Sequence, residues 1–319
     1  MPRPDIESQS GESTPAVTVT IPTYNGGSYL RAAIDSVLSQ TFVDWELFVS
    51  DDSSTDGSTD FLRALMEKDR RVHYIRNLSR LGLPQNFTQC AQLGSGRFVA
   101  IFHQDDVMLP DNLAAKVAML DAHPDVGMVH SNIEQIDDAG TVFAEHWDTM
   151  ATKDAILSGR VFLERTLSNG NIVCAPTAVV RRSVFREVGS FDPRLPWVCD
   201  WDMWIRIALR HHIGVIGRPQ VQWRDHQNQE GKNFESSLRG LRQIALLFEL
   251  LFNERAPNLR RDRRLRLAAQ GTLARWAVGR ATKAWQRGQR SVTIKMWAFV
   301  LLKCPDYLVR VPYRRLRRR

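Results

Sequence analysis

The chain predicts an α/β fold built on a mostly parallel sheet, and three observations point there. Apolar runs of strand length alternate with segments of helical periodicity. Several of the runs end abruptly in clusters of small polar and acidic residues. The composition, 43% apolar and 24% charged over 319 residues, is that of a globular protein with core enough for one large domain or two modest ones.

The expected strands are "AVTVTI" (16–21), "WELFVS" (45–50), "RVHYI" (71–75), "RFVAIF" (97–102) and "VGMVHS" (126–131), with a short later one at "GVIG". Between them, "GSYLRAAIDSVLSQ" carries Leu30, Ala33, Ile34, Val37 and Leu38 on one helical face. "STDFLRALMEK", opening at Ser58, and "PDNLAAKVAMLDAH", with Pro110 in its first turn, read as helices in the same way. Residues 1–14 are polar and rich in Pro and Ser, and read as a disordered lead-in rather than a signal peptide. No apolar run reaches the roughly 18 residues of a membrane helix. Cys90, Cys174, Cys199 and Cys304 are far apart and form no CxxC pair, so neither a disulfide framework nor a zinc ribbon is indicated, and a reducing cytoplasm fits.

In sheets of this kind ligands bind beyond the carboxyl ends of the strands. Here those ends read "PTYNGG", "DDSSTDGS" and "HQDD", which brings Tyr24, Asn25, Asp51, Asp52, Asp105 and Asp106 toward one edge. Carboxylates crowded together repel unless a cation offsets them, and oxygen ligands suit Mg²⁺ or Mn²⁺. The plainer alternative is helix capping, which short oxygen side chains do well. It suits Asp56 better than the pair at 105 and 106, because one cap needs one oxygen and Pro110 sets the next helix some residues later.

Four segments, "VTIPTYNGGSYLRAAIDSVLSQT", "WELFVSDDSSTDGS", "GSGRFVAIFHQDDVMLP" and "CDWDMWIRIA", together resemble the inverting nucleotide-sugar glycosyltransferases of family 2, with their GT-A fold, over about residues 16–230. The resemblance implies that Pro22, Tyr24 and Asp52 hold the nucleoside, with Asn25, Asp51 and Arg80 near it. It implies that Asp105 and Asp106 hold a divalent ion, Mn²⁺ or Mg²⁺, bridging the diphosphate. Asp200 becomes the general base, with Asp202 as the alternative. In "VQWRDHQNQ", placed in a loop, Arg224 becomes a phosphate contact and His226 a third metal ligand. The form "HQDDVMLP" is similar to the "DQDD" of rhamnosyltransferases in this family and leans toward dTDP-rhamnose over UDP-sugars.

The chain departs from the family pattern at two positions. His103 stands first in the metal motif where an Asp is usual, and Cys199 precedes Asp200 where a Glu is usual. His103 is read as a strand-end histidine whose ring a neighbour satisfies, with direct or indirect metal ligation left open.

Charge divides the chain. Residues 254–319 hold 19 Lys+Arg against 3 Asp+Glu, leaving 24 against 32 for residues 1–253. Three helical segments, then "YLVRVPYRRLRRR", interleave Trp276, Trp285 and Trp297 with basic residues, a pattern of helices lying in an anionic membrane surface or packing on the catalytic domain. Nucleic acid ranks below the membrane as a partner, since no recognisable module accompanies the charge. The expected organisation is a GT-A domain over 15–234 and a helical basic region over 235–319. Its expected work is sugar transfer from a UDP- or dTDP-linked donor to a glycan or lipid-linked acceptor at the inner face of the cell membrane. A non-catalytic nucleotide-sugar-binding scaffold and a nucleic-acid-binding protein remain the alternatives.

Overall fold

The computed structural model describes residues 14–145, 152–229, 231–235 and 237–304. Most of the expected lead-in and the final arginine-rich stretch therefore lie outside the described residues. The first half of the sheet comes from β1 (Val17–Thr23), α1 (Gly27–Leu38), β2 (Trp45–Asp51), α2 (Asp60–Lys68), β3 (Val72–Arg76), α3 (Leu83–Gln92) and β4 (Phe98–Ile101). Next come β5 (Val107–Met108), α4 (Asn112–Ala122), β6 (Val126–Ile136), β7 (Val142–Glu145), β8 (Ala155–Leu157), α5 (Gly159–Asn169), β9 (Val179–Arg181), α6 (Arg182–Val188), α7 (Cys199–Ala208) and β10 (His212–Arg224). Helices α8 (Lys232–Glu235), α9 (Leu238–Leu250), α10 (Arg263–Gln286) and α11 (Arg290–Lys303) complete the chain.

The sheet runs β3-β2-β1-β4-β9-β6-β10-β5, with β7 on β6 and β8 on β10. β3, β2, β1 and β4 are parallel, as are β6 and β10, while β9 lies antiparallel between the two groups. The strands are buried on both faces, and successive side chains enter opposite faces of the sheet. On β4, Phe98, Ala100 and the following Phe102 enter one apolar cluster with Val17, Val19 and Ile21; Val99 and Ile101 enter the other. Helix α1 buries Leu30, Ala33, Ile34 and Val37, the face its periodicity predicts.

Elements such as β5, β7, β8, α3, α5 and α6 have no counterpart in the sequence reading, and two further differences shape the sheet. "GVIG" is the middle of a 13-residue strand, β10, which continues past Gly217 and Pro219 through register shifts against β6. A glycine and a proline read as a turn, but a bulge absorbs both without ending the strand. Arg224 consequently ends a strand instead of sitting in a loop. The three residues of β9 are too few for any periodic signal, yet they join the two halves of the sheet.

The C-terminal helices share the core. Leu241 and Ile244 of α9 and Leu265, Ala269 and Leu273 of α10 belong to the cluster around Trp201 and Trp204 of α7. Trp276 faces Trp201 with ring centroids 6.2 Å apart, so it packs against α7 rather than standing out as an interfacial residue. α7 is also held by charge. Asp202 is buried, accepts from Arg206 at 2.8 Å and Arg255 at 3.3 Å, and Arg255 also binds Asp192. Removing one member of a buried network leaves the others uncompensated, so Asp202→Ala should destabilise the fold by about 3–5 kcal/mol. Denaturant titration would measure this; a loss under about 1 kcal/mol would show that the arginines find other partners.

Candidate active site

The carboxyl ends of β1, β2 and β4, the start of α7 and the loop after β10 enclose a cleft of about 540 Å³. Pro22, Tyr24, Asp52, Arg80, Asp105, Asp200, His226 and His103 all line it. Asn25, Asp51, Arg224 and Asp202 do not, and neither does Asp106, which is buried behind Asp105.

Gln104 fixes the relation between β1 and the acidic loop. Its Oε1 accepts from the Thr23 hydroxyl at 2.6 Å and the Tyr24 amide at 2.9 Å. The two strand ends are thereby tied side by side, which holds Tyr24 next to the 103–106 loop. Arg80 lies 3.8 Å over the Tyr24 ring, a cation–π contact at the mouth of the cleft.

The neighbouring aspartates after β2 divide their work. Asp51 is fully buried and accepts from the Tyr74 hydroxyl at 2.6 Å, Arg76 Nη1 at 3.0 Å and the Ser54 amide at 2.8 Å. It is spent on the strand end and does not reach the cleft. Asp52 does, with Oδ1 accepting from the Leu81 amide at 2.7 Å and Oδ2 from the Gly82 amide at 2.9 Å. Gly82 has φ +79°, a conformation that glycine adopts without strain, and it turns its N–H onto Asp52 as α3 begins. Asn25 is exposed, and its Oδ1 accepts the Thr55 amide, bracing the loop after β2 from outside.

The acidic loop itself is bound to β10. The Arg224 amide donates to Asp106 Oδ1 at 2.9 Å, Arg224 Nε donates to the Asp105 carbonyl at 3.0 Å, and its Nη1 reaches the Asp137 carbonyl at 2.8 Å. The buried guanidinium is thus committed to backbone oxygens rather than aimed at a phosphate. His226 Nε2 lies 2.9 Å from Asp105 Oδ2.

His103, Asp105 and Asp106 each present one donor atom, all within 4.8 Å of one another. The His103 Nδ1 stands 3.6 Å from Asp106 Oδ2, beyond a hydrogen bond. His103 Nε2, Asp106 Oδ2 and His226 Nδ1 are buried without a hydrogen-bond partner. The ring of His103 therefore lacks the satisfying neighbour that the sequence reading gave it. Burial, then the charge of Asp105, pushes Asp106 well above the usual carboxylate range. Burial also pushes Asp105 up, but the His226 hydrogen bond and the electrostatic pull of the two imidazoles outweigh it and hold Asp105 below that range. Two carboxylates with opposed shifts and orphaned buried oxygen and nitrogen atoms are a set that a divalent cation would satisfy.

Across the cleft, Asp200 opens the first turn of α7. Its Oδ2 accepts from Asn171 Nδ2 at 2.9 Å, and burial raises its pKa to about 6 against the pull of its hydrogen bonds. Of the two acidic candidates on α7, Asp200 faces the cleft and Asp202 faces the buried arginines. Residues two apart on a helix point about 200° apart, so the sequence placed both near the site while only geometry separates them. Asn171, Gln104, Trp197 and Trp223 were not singled out from sequence, and of these Trp197 had the only visible signal, an aromatic residue just ahead of the α7 motif. Trp197 lines the cleft and stacks on Phe234 at 5.6 Å and 7°.

A mostly parallel sheet with an acidic loop and a helix-borne carboxylate across its carboxyl edge has the form of a GT-A glycosyltransferase. The family described as Glycosyl transferase family 2 matches residues 18–189, more than half of the chain, and the chain belongs to that family. It is 28% identical over 202 residues to the UDP-Glc:alpha-D-GlcNAc-diphosphoundecaprenol beta-1,3-glucosyltransferase WfgD of Escherichia coli, covering 63% of this chain and 72% of that one. Among solved structures, Staphylococcus aureus TarS 1-349 in complex with UDP-GlcNAc superposes with a TM-score of 0.67 at 17% identity, over 91% of this chain and 82% of that one. The mannosyltransferase PcManGT of Pyrobaculum calidifontis, in complex with GDP-Man and Mn²⁺, gives 0.57 at 20% identity, over 95% and 83%. The chain spans 22% and 65% of the length of two further curated relatives. Among the described residues no helix is long and apolar enough to cross a membrane.

Proposed function

We propose that this chain transfers a sugar from a nucleoside-diphosphate donor to a hydroxyl of a glycan or lipid-linked acceptor, with inversion, in cell-surface polysaccharide synthesis at the inner face of the membrane. The observation that carries this is the placement of Asp200 across one cleft from His103 and Asp105, with Tyr24, Asp52 and Arg80 along its wall. The names of similar proteins support it: WfgD is named for a UDP-linked donor and a lipid-diphosphate acceptor, and TarS was solved with UDP-GlcNAc.

Asp200 takes the proton of the acceptor hydroxyl, whose oxygen attacks the anomeric carbon while the bond from that carbon to the diphosphate breaks. A carboxylate with a pKa near 6 is ionised at neutral pH yet basic enough to assist a poor nucleophile. Asn171 holds the carboxylate in place through Oδ2. The nucleoside lies against Tyr24 and Asp52, and Arg80 closes over the Tyr24 ring. Asp105, Asp106 and His103 would hold Mn²⁺ or Mg²⁺, with His226 supporting Asp105. Such an ion, when bound, supplies positive charge to the departing diphosphate. Arg224 keeps the acidic loop on β10 and does not itself bind phosphate. The donor is UDP- or dTDP-linked in this reading, with dTDP-rhamnose favoured by the "HQDD" form.

A thermal-shift panel of nucleoside diphosphates and their sugars, with and without Mn²⁺, tests the proposal. The matching donor at about 100 times its Kd should add about 2.7 kcal/mol of stability, with Mn²⁺ required for the full effect. No shift with any diphosphate would sink it, and binding without turnover over a panel of acceptors would favour a scaffold.

A further inference from the structure

Of the twelve large apolar side chains exposed among the described residues, five fall between 285 and 302: Trp285 at 53%, Ile294 at 68%, Trp297 at 43%, Leu301 at 61% and Leu302 at 79%. At 3.6 residues per turn, Ile294, Trp297 and Leu301 fall within about 60° of one another on α11. The opposite side of the helix, Met296, Phe299 and Val300, is seated in the core. α11 is therefore apolar on both sides, and only one side is covered. Trp285, at the end of α10, extends the exposed side, because the Arg290 guanidinium of α11 lies 3.8 Å over its ring.

The charge around this face has one sign. From 263 to 303 there are ten Lys+Arg and no Asp or Glu. Arg287, Arg290 and Lys295 are exposed near the stripe, whereas Lys303 is paired with Glu249 at 2.6 Å. Beyond Cys304, where the described chain stops, the sequence carries six more arginines and a single acid, Asp306. An apolar stripe with tryptophans, framed by unopposed cations and followed by an arginine run, complements a surface that is apolar inside and anionic outside.

We propose that the outer face of α11, together with Trp285, docks onto an anionic lipid surface, with Ile294, Trp297 and Leu301 entering the apolar boundary and Arg287, Arg290 and Lys295 at the headgroups. This rests on the membrane-proximal acceptor proposed above and names the surface that would bring the enzyme to it. It also separates the three tail tryptophans: Trp285 and Trp297 face the lipid, while Trp276 is packed on Trp201.

The full chain should sediment with phosphatidylcholine vesicles containing phosphatidylglycerol and weakly with phosphatidylcholine alone. Brominated lipid should quench part of its tryptophan emission, and the Trp285→Phe/Trp297→Phe variant should lose that quenching. The Ile294→Glu/Leu301→Glu variant should bind the anionic vesicles about tenfold or more weakly, because both substitutions put charge where apolar contact is required. Both positions are solvent-exposed, so its Mn²⁺-dependent donor thermal shift should match that of the native chain and report an intact fold. Unchanged vesicle affinity in the Glu variant would overturn the proposal and assign binding to the arginine run alone. A self-associated native chain that the Glu pair makes monomeric, without change in vesicle binding, would overturn it in favour of a second copy on this face. Loss of lipid binding alongside undiminished transfer to a water-soluble acceptor would leave the catalytic reading standing, and failed turnover with intact lipid binding would do the reverse.

Discussion

Asp200→Asn should retain donor binding and lose sugar transfer by about a hundredfold or more. The amide can still accept from Asn171 through its oxygen and still sits at the first turn of α7, so the geometry is kept and the proton acceptor is lost. General-base help is worth about 10² to 10⁴ in rate. The same substitution has an opposite effect on stability. The folded carboxyl has a pKa of about 6, above the ordinary value of about 4, so the folded state binds the proton more tightly than the unfolded chain does. Stability from that proton is present at acid pH and is lost as pH rises through the window from about 4 to 6. The charged form costs roughly 1–3 kcal/mol at neutral pH, and the asparagine variant, which never ionises, should melt higher than the native chain at pH 7.5 but not at pH 4. A variant that loses transfer with no gain in melting temperature at pH 7.5 would mean that Asp200 is not held against its charge.

Most of the sheet was legible because its signal is local. "VTVTIPT" is buried at every position but one, and "GSYLRAAIDSVL" turns one apolar side inward, so period and composition agree with the fold. β9 and the full length of β10 were not legible, the first because three residues hold no period, the second because Gly217 and Pro219 are punctuation in one dimension and a bulge in three. The candidate site shows the same division. Sequence brought the right strand ends together but could not say which of two nearby acids would turn into the cleft, Asp51 or Asp52, or Asp200 or Asp202. That is decided by partners far along the chain, Tyr74 and Arg76 for Asp51, and Arg206 and Arg255 for Asp202. Arg224 likewise is a phosphate contact by resemblance to the family and a brace once the Asp105 carbonyl lies 3.0 Å from its Nε.

Asp105→Asn should abolish Mn²⁺-dependent donor binding, and His103→Ala should come close to doing so. Asp105 lines the cleft and is held below the usual carboxylate range, the state in which an oxygen can meet a cation, so the amide removes both a charge and a ligand. For His103 the sequence suggested a bystander. The structure puts one of its nitrogens within 4.8 Å of donor oxygens from both aspartates, leaves Nε2 without a hydrogen-bond partner, and lets burial lower its pKa, which favours the neutral ring that a metal requires. A histidine that only supported a ligand would cost about 10- to 100-fold in metal affinity when removed; a ligand should cost more. Replacing it with the carboxylate usual in the family gives a second discriminating measurement. A nitrogen in the donor set favours Mn²⁺ over Mg²⁺, whereas an all-oxygen set is kinder to Mg²⁺, so His103→Asp should narrow the preference between the two metals rather than abolish binding. Calorimetric titration of the nucleoside diphosphate under each metal, on the native chain and the three variants, reads all of these at once. If His103→Ala falls within the 10- to 100-fold range and His103→Asp leaves the metal preference where it was, His103 supports the site without ligating, and Asp105 and Asp106 carry the ion with oxygen alone.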